Sequence, residues 1–174
     1  MKRMKSLITV IGLTLASAAV AADSSASAGV YVGNADQGRA KSASCAACHG
    51  SDGNSATADY PKLSGQHGTY LESTLKAYRD GSRANAIMAG MAAALSDEDI
   101  ADLAAYYSQQ TASTGAAEPD LVARGEQLYR FGDSEKGISA CAGCHGPTGA
   151  GLASAVFPSL KGQWAAYSET QLKA

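Results

Sequence analysis

Apolar positions recur at helical spacing in several stretches of this chain, and no stretch reads as strand-rich. The clearest pattern follows Ser96. Ile100, Leu103, Ala104 and Tyr107 stand at i, i+3, i+4 and i+7, which places them on one face of a helix. Ser96 and Asp99 have the spacing of a capping box, with Asp in place of the usual Glu. Leu95 and Ile100 occupy the two positions of a hydrophobic staple. Asp97, Glu98 and Asp99 fill the first turn, where the helix dipole favours acids, and that reading outweighs a docking site. A second helix is expected over about 67–80, with Tyr70, Leu71, Thr74, Leu75 and Tyr78 on one face and Gly81 as its stop. A third is expected over about 36–47. Near the start, Lys2, Arg3 and Lys5 precede a mostly apolar run from Leu7 to Val20 and an Ala19-Val20-Ala21 cleavage pattern. Residues 1–22 therefore read as a signal peptide. The apolar run falls short of the ~18 residues that a membrane anchor needs.

The chain repeats itself. Pro61-Lys62-Leu63-Ser64-Gly65-Gln66 returns as Pro158-Ser159-Leu160-Lys161-Gly162-Gln163, Tyr70 as Tyr167, and Leu75-Lys76-Ala77 as Leu172-Lys173-Ala174. The expected organisation is a flexible segment at 23–34, a first domain at 35–110, a linker at 111–123 and a second, partial domain at 124–174. The linker contains Thr, Ser, Gly, Ala and Pro119. Extra residues in the second copy, among them Gly132, Asp133 and Gly137, suit a surface insertion. The second copy stops at the equivalent of Ala77, so the sequence reads as a fragment of a longer protein.

Charge narrows the partners. Formal net charge is −2, and cleavage of the leader would remove three basic residues and no acid. A mildly acidic chain without a basic patch excludes nucleic acid as a partner. Charge of this kind is better read as steering of protein partners than as a determinant of fold.

The chemistry lies in the cysteines. Cys45-Ala46-Ala47-Cys48-His49 returns as Cys141-Ala142-Gly143-Cys144-His145, and the two motifs use all four cysteines. C-x-x-C-H attaches c-type haem: one helical turn carries two thiols to two vinyl groups, and the next residue supplies an imidazole beneath the iron. A redox C-x-x-C would sit near a βαβ pattern. Structural zinc needs a fourth ligand, and none follows the second motif. A disulfide framework leaves both histidines unexplained. The sequence thus predicts two covalent haems, with Cys45, Cys48, Cys141 and Cys144 as attachment points and His49 and His145 as axial ligands. A haem fills the core that units of only ~70–80 residues cannot build from side chains alone. Once the leader is gone, Met88 and Met91 are the only methionines left to serve as a sixth ligand. His67, the spare histidine, is matched by Trp164 in the second copy and is not expected to ligate.

Taken in order, these pieces resemble the dihaem cytochromes c of the c4 type, two class I cytochrome c domains in tandem. The resemblance rests on both C-x-x-C-H-G motifs, both P-x-L-x-G-Q segments, Met88-Ala-Gly-Met91 before Leu95-Ser96-Asp97-Glu98-Asp99-Ile100, and the linker Gly115-Ala-Ala-Glu-Pro-Asp-Leu-Val122. It implies an all-α fold wrapped around each haem and makes Met88 the sixth ligand of the first. It also implies that the carbonyls of Pro61 and Pro158 accept a hydrogen bond from the haem histidines. The second haem's sixth ligand would lie past Ala174.

The implied function is periplasmic electron transfer, with no bond chemistry of the chain's own. Partners would be a quinol-oxidising complex and a terminal oxidase or reductase, with peripheral membrane association left open. The alternative is the cytochrome subunit of a dehydrogenase, such as a flavin-dependent sulfide dehydrogenase. No flavin or nicotinamide fingerprint appears, so a catalytic centre would need another chain. A haem-based gas sensor would require an open iron and an output domain.

Overall fold

Helix α5, Asp97–Ser108, forms where the capping box predicts it. Ser96 Oγ accepts from the Asp99 N–H at 3.1 Å, and Asp99 Oδ2 accepts from the Ser96 N–H at 3.0 Å. Two orphan donors of the first turn are thereby satisfied. The buried face of α5 carries Ile100, Leu103, Ala104 and Tyr107, as the spacing requires. Leu71, Leu103, Ala104 and Tyr107 form the core cluster, with Cys45, Leu63, Leu95 and Tyr106 packed around it. This computed structural model describes residues 32–174, and they pack as one unit. The predicted signal peptide lies outside the described residues.

Helix α1, Ala35–Lys41, crosses α5. The crossing depends on Gly38, because a Cβ there would stand 2.0 Å from the Asp102 carbonyl oxygen. Lys41 Nζ anchors the crossing with contacts to Asp102 at 2.6 Å and Asp99 at 2.7 Å. Asp102 is buried and also accepts from the Asn34 N–H at 2.7 Å. The end of the segment expected to be flexible is therefore held. Asn34 caps α1, and Gly33 lies against the Ala101 carbonyl. Residues 23–31 of that segment lie outside the described residues.

The helix expected over 36–47 is two helices. Helix α2 runs Ala43–His49, and Ser42 separates it from α1 by turning its hydroxyl back onto the Arg39 carbonyl at 2.8 Å. Helix α3, Gly68–Asp80, ends at left-handed Gly81 as expected. Helix α4, Ala86–Ala92, was not foreseen. Asn85 caps it by accepting from the Met88 N–H. Arg79, near the end of α3, donates to the Leu95 carbonyl and pairs with Asp97, fixing the entry to α5.

The second copy contains α6, Pro119–Phe131, then α7, Ala142–His145, and α8, Ala165–Leu172. Proline at the first position of α6 starts the helix inside the stretch expected to be linker. The insertion forms a 3-10 turn, Ser134–Lys136, closed by an Asp133–Ile138 bridge. None of the residues of α6, α7 or α8 is buried, unlike those of α5. Among the described residues the fold is helical, with two isolated bridges and no strand.

Candidate haem sites

Helix α2 carries Cys45, Cys48 and His49, and none of the four cysteines is paired in a disulfide. Cys45 packs against the core cluster that contains Tyr107. His49 is buried, and its Nδ1 lies 2.8 Å from the Pro61 carbonyl oxygen. A carbonyl can only accept, so the proton sits on Nδ1 and the Nε2 lone pair is free for a metal. Burial pushes the His49 pKa down, and the Pro61 hydrogen bond opposes that shift. Tyr60 meets the imidazole edge-on, at 6.2 Å between centroids. The loop between His49 and Pro61 folds on itself: the Gly53 carbonyl accepts from the N–H groups of Leu63 and Ser64. Gly53 has φ +80°, and a Cβ there would be 2.8 Å from the Tyr107 ring.

The second motif repeats this arrangement. His145 Nδ1 lies 2.9 Å from the Pro158 carbonyl oxygen. The Gly149 carbonyl accepts from Leu160 and Lys161 as Gly53 does from its own pair. Phe157 takes the place of Tyr60, with its ring 6.1 Å from that of His145. Val156, just before it, holds a left-handed backbone with φ 60°, a strained conformation for a β-branched residue. Both donor sets fit a c-type haem: two thiols one turn apart, then an imidazole whose far nitrogen is fixed by a carbonyl. Among the described residues no three His, Cys, Asp or Glu side chains gather as a metal-holding group.

Met88 lies in the first turn of α4 and is half-buried, whereas Met91 is 41% exposed. His67 is engaged elsewhere, with its Nε2 2.8 Å from the Ala150 carbonyl oxygen of the second copy.

Comparison with known proteins agrees with this geometry. The family described as Cytochrome c matches residues 35–111. Cytochrome c4 of Pseudomonas aeruginosa is 46% identical over 172 residues, covering 98% of this chain and 79% of its own length. The chain belongs to the cytochrome c4 family. The crystal structure of reduced recombinant cytochrome c4 from Pseudomonas stutzeri superposes with a TM-score of 0.78 at 45% identity, covering 82% of this chain and 80% of that one. A thiosulfate dehydrogenase electron acceptor of Thiomonas intermedia is 46% identical over 142 residues, covering 77% of this chain and 63% of its own length. The protein is an all-α electron-transfer cytochrome with covalently bound haem c, two groups in a cytochrome c4.

In this cytochrome c4 chain the two copies meet along their P-x-L-x-G-Q segments. Gln66 Nε2 donates to the Ser159 carbonyl at 3.0 Å, and Gln66 Oε1 accepts from the Ser159 N–H at 2.8 Å. Gln163 does the same to Lys62. Arg83 adds a second bridge, reaching Tyr70 and Thr74 on α3 and Tyr167 and Gln171 on α8. Sequence reasoning found both glutamines as repeated positions but gave them no role. Their symmetry was the available signal, because a repeated polar residue in a loop can serve two facing copies at once. Arg83 had no comparable signal.

Proposed function

We propose that this chain is exported to the periplasm and carries electrons from a quinol-oxidising complex to a terminal oxidase or reductase. Cys45 and Cys48 hold one haem through thioethers, and Cys141 and Cys144 hold the other. His49 and His145 are the axial ligands, and Met88 is the sixth ligand of the first haem. When bound, each haem supplies an iron that cycles between ferrous and ferric states. The chain's part is to orient each imidazole, tune its basicity and exclude water. The observation that carries this reading is the matched pair of Nδ1-to-proline contacts, at 2.8 Å for His49 and 2.9 Å for His145. Among the described residues no helix is long and apolar enough to cross a membrane. The test is stopped-flow mixing of the ferric holo-protein with a quinol-oxidising complex supplied with quinol, then with an oxidase. Reduction in the first step and reoxidation in the second are expected; failure of both steps would remove the assignment.

A second reading has one specific observation behind it, the 46% identity to a thiosulfate dehydrogenase electron acceptor. In that reading a sulfur-compound dehydrogenase on another chain supplies the electrons. Faster reduction by such a dehydrogenase with thiosulfate or sulfide than by the quinol-oxidising complex would favour it.

A further inference from the structure

Each copy sends one ring into the haem loop of the other, and the two rings differ. The second copy sends Trp164. Its Nε1–H donates to Ser55 Oγ at 2.8 Å. An indole N–H can only donate, so Ser55 must accept there and use its own proton elsewhere. Ser55 is buried and donates to the Tyr60 carbonyl at 2.7 Å. The next carbonyl along the chain is that of Pro61, which accepts from His49 Nδ1 at 2.8 Å. Lys62 Nζ holds the indole from its face, 4.4 Å from the ring centroid.

The second site is built differently. The carbonyl equivalent to that of Tyr60 belongs to Phe157, and it accepts from the Leu152 N–H of its own loop at 2.9 Å. The ring equivalent to Trp164 is His67, which contacts the Ala150 carbonyl directly with no hydroxyl between. Both loops are tied to the other copy, but the carbonyl preceding the proline is held from the other copy, through Ser55, only behind His49; behind His145 the equivalent carbonyl is held by Leu152 of its own loop.

We propose that Trp164 is a positioning residue for His49: through Ser55 it fixes the Tyr60–Pro61 loop and thereby the strength of the His49 Nδ1–H bond to Pro61. This rests on His49 being the axial ligand of the first haem. A firm bond to Pro61 makes the imidazole a stronger donor and favours ferric iron, so loosening it raises the midpoint potential of that haem. Docking of the second copy is then felt at the first haem through three hydrogen bonds and one peptide unit.

The test uses the holo-protein with Trp164→Phe, Ser55→Ala and the double variant. Phenylalanine keeps an aromatic face for Lys62 and removes the N–H together with part of the indole's bulk, whereas Ser55→Ala removes the same link and leaves the indole whole. Midpoints of both haems are read by spectroelectrochemical titration, and exchange of the two histidine Nδ1–H protons by NMR. In each single variant the His49 proton should exchange roughly three- to tenfold faster, and the first haem's midpoint should rise. The His145 proton and the second midpoint should stay where they are, and the double variant should match either single. Equal shifts at both haems, no shift at either, or additive effects in the double variant would overturn the proposal. The wild-type spectrum separates the two claims. Without a haem-shifted His49 resonance the ligand assignment fails, whereas an intact resonance with unchanged exchange removes only the role of Trp164.

Discussion

Gln163 satisfies both backbone groups of Lys62, accepting from its N–H at 2.9 Å and donating to its carbonyl at 2.9 Å. Gln66 treats Ser159 the same way, so four hydrogen bonds join the copies about a local two-fold relation. An aliphatic replacement removes two of them and leaves partly buried backbone groups of the facing loop unpaired. Gln163→Leu and Gln66→Leu should each cost about 1–3 kcal/mol in chemical denaturation. Because both act on one seam, the double variant should fall short of the sum of the singles.

The α1–α5 crossing should be less forgiving. With a Cβ 2.0 Å from the Asp102 carbonyl, Gly38→Ala must push the helices apart. A loss of about 3 kcal/mol is expected, with helix content largely kept. A thermal melt of the holo-protein would show it as a lowered Tm.

Acid should loosen the same crossing. Lys41 holds the Asp99 carboxyl well below the usual carboxylate range, and the Ser96 hydroxyl and N–H add to this. A depressed folded pKa gives stability that is present above the ordinary carboxylate pKa and lost as pH falls through the folded one. In the other direction, Asp102 and then Asp99 raise the Lys41 pKa. That contribution is complete below the ordinary lysine pKa of about 10.4 and fades as pH rises past the folded value. Tm should therefore be level in this respect between about pH 5 and pH 10 and fall below about pH 4. Lys41→Met should flatten the acid limb. Added salt should weaken the contribution, because Lys41 and Asp99 are partly exposed.

Met88 and Met91 lie on one short helix with different exposure. Met88→Ala should abolish the methionine–iron charge-transfer band at the red end of the visible spectrum for the first haem and lower its midpoint. Met91→Ala should leave the band in place. The opposite pattern would assign the ligand to Met91.

Local signals carried much of the fold. Ser96, Asp99 and the i, i+3, i+4, i+7 series fixed α5 because a capping box and a buried stripe act within one helix. Gly81 ended α3 for the same reason. The break at Ser42 was not legible, since it depends on whether a serine hydroxyl turns back to a carbonyl three residues earlier. Helix α4 escaped because Ala-Ile-Met-Ala-Gly-Met-Ala has no polar face to set a period. Asn34 was read as part of a flexible segment because its partner, Asp102, is 68 residues away. The cysteine–histidine motifs could be read without structure, since thioether spacing is local. The route from Trp164 to His49 could not, because its first step spans 109 residues.

The central claim is that Cys45, Cys48, Cys141 and Cys144 hold two haems. The most direct measurement is the intact mass of the purified holo-protein after acid-acetone extraction, for the wild type and for Cys45→Ala/Cys48→Ala. The wild type should retain the mass of two haems and the variant that of one. A wild-type chain that emerges at its bare polypeptide mass, with all haem in the extract, would contradict the account.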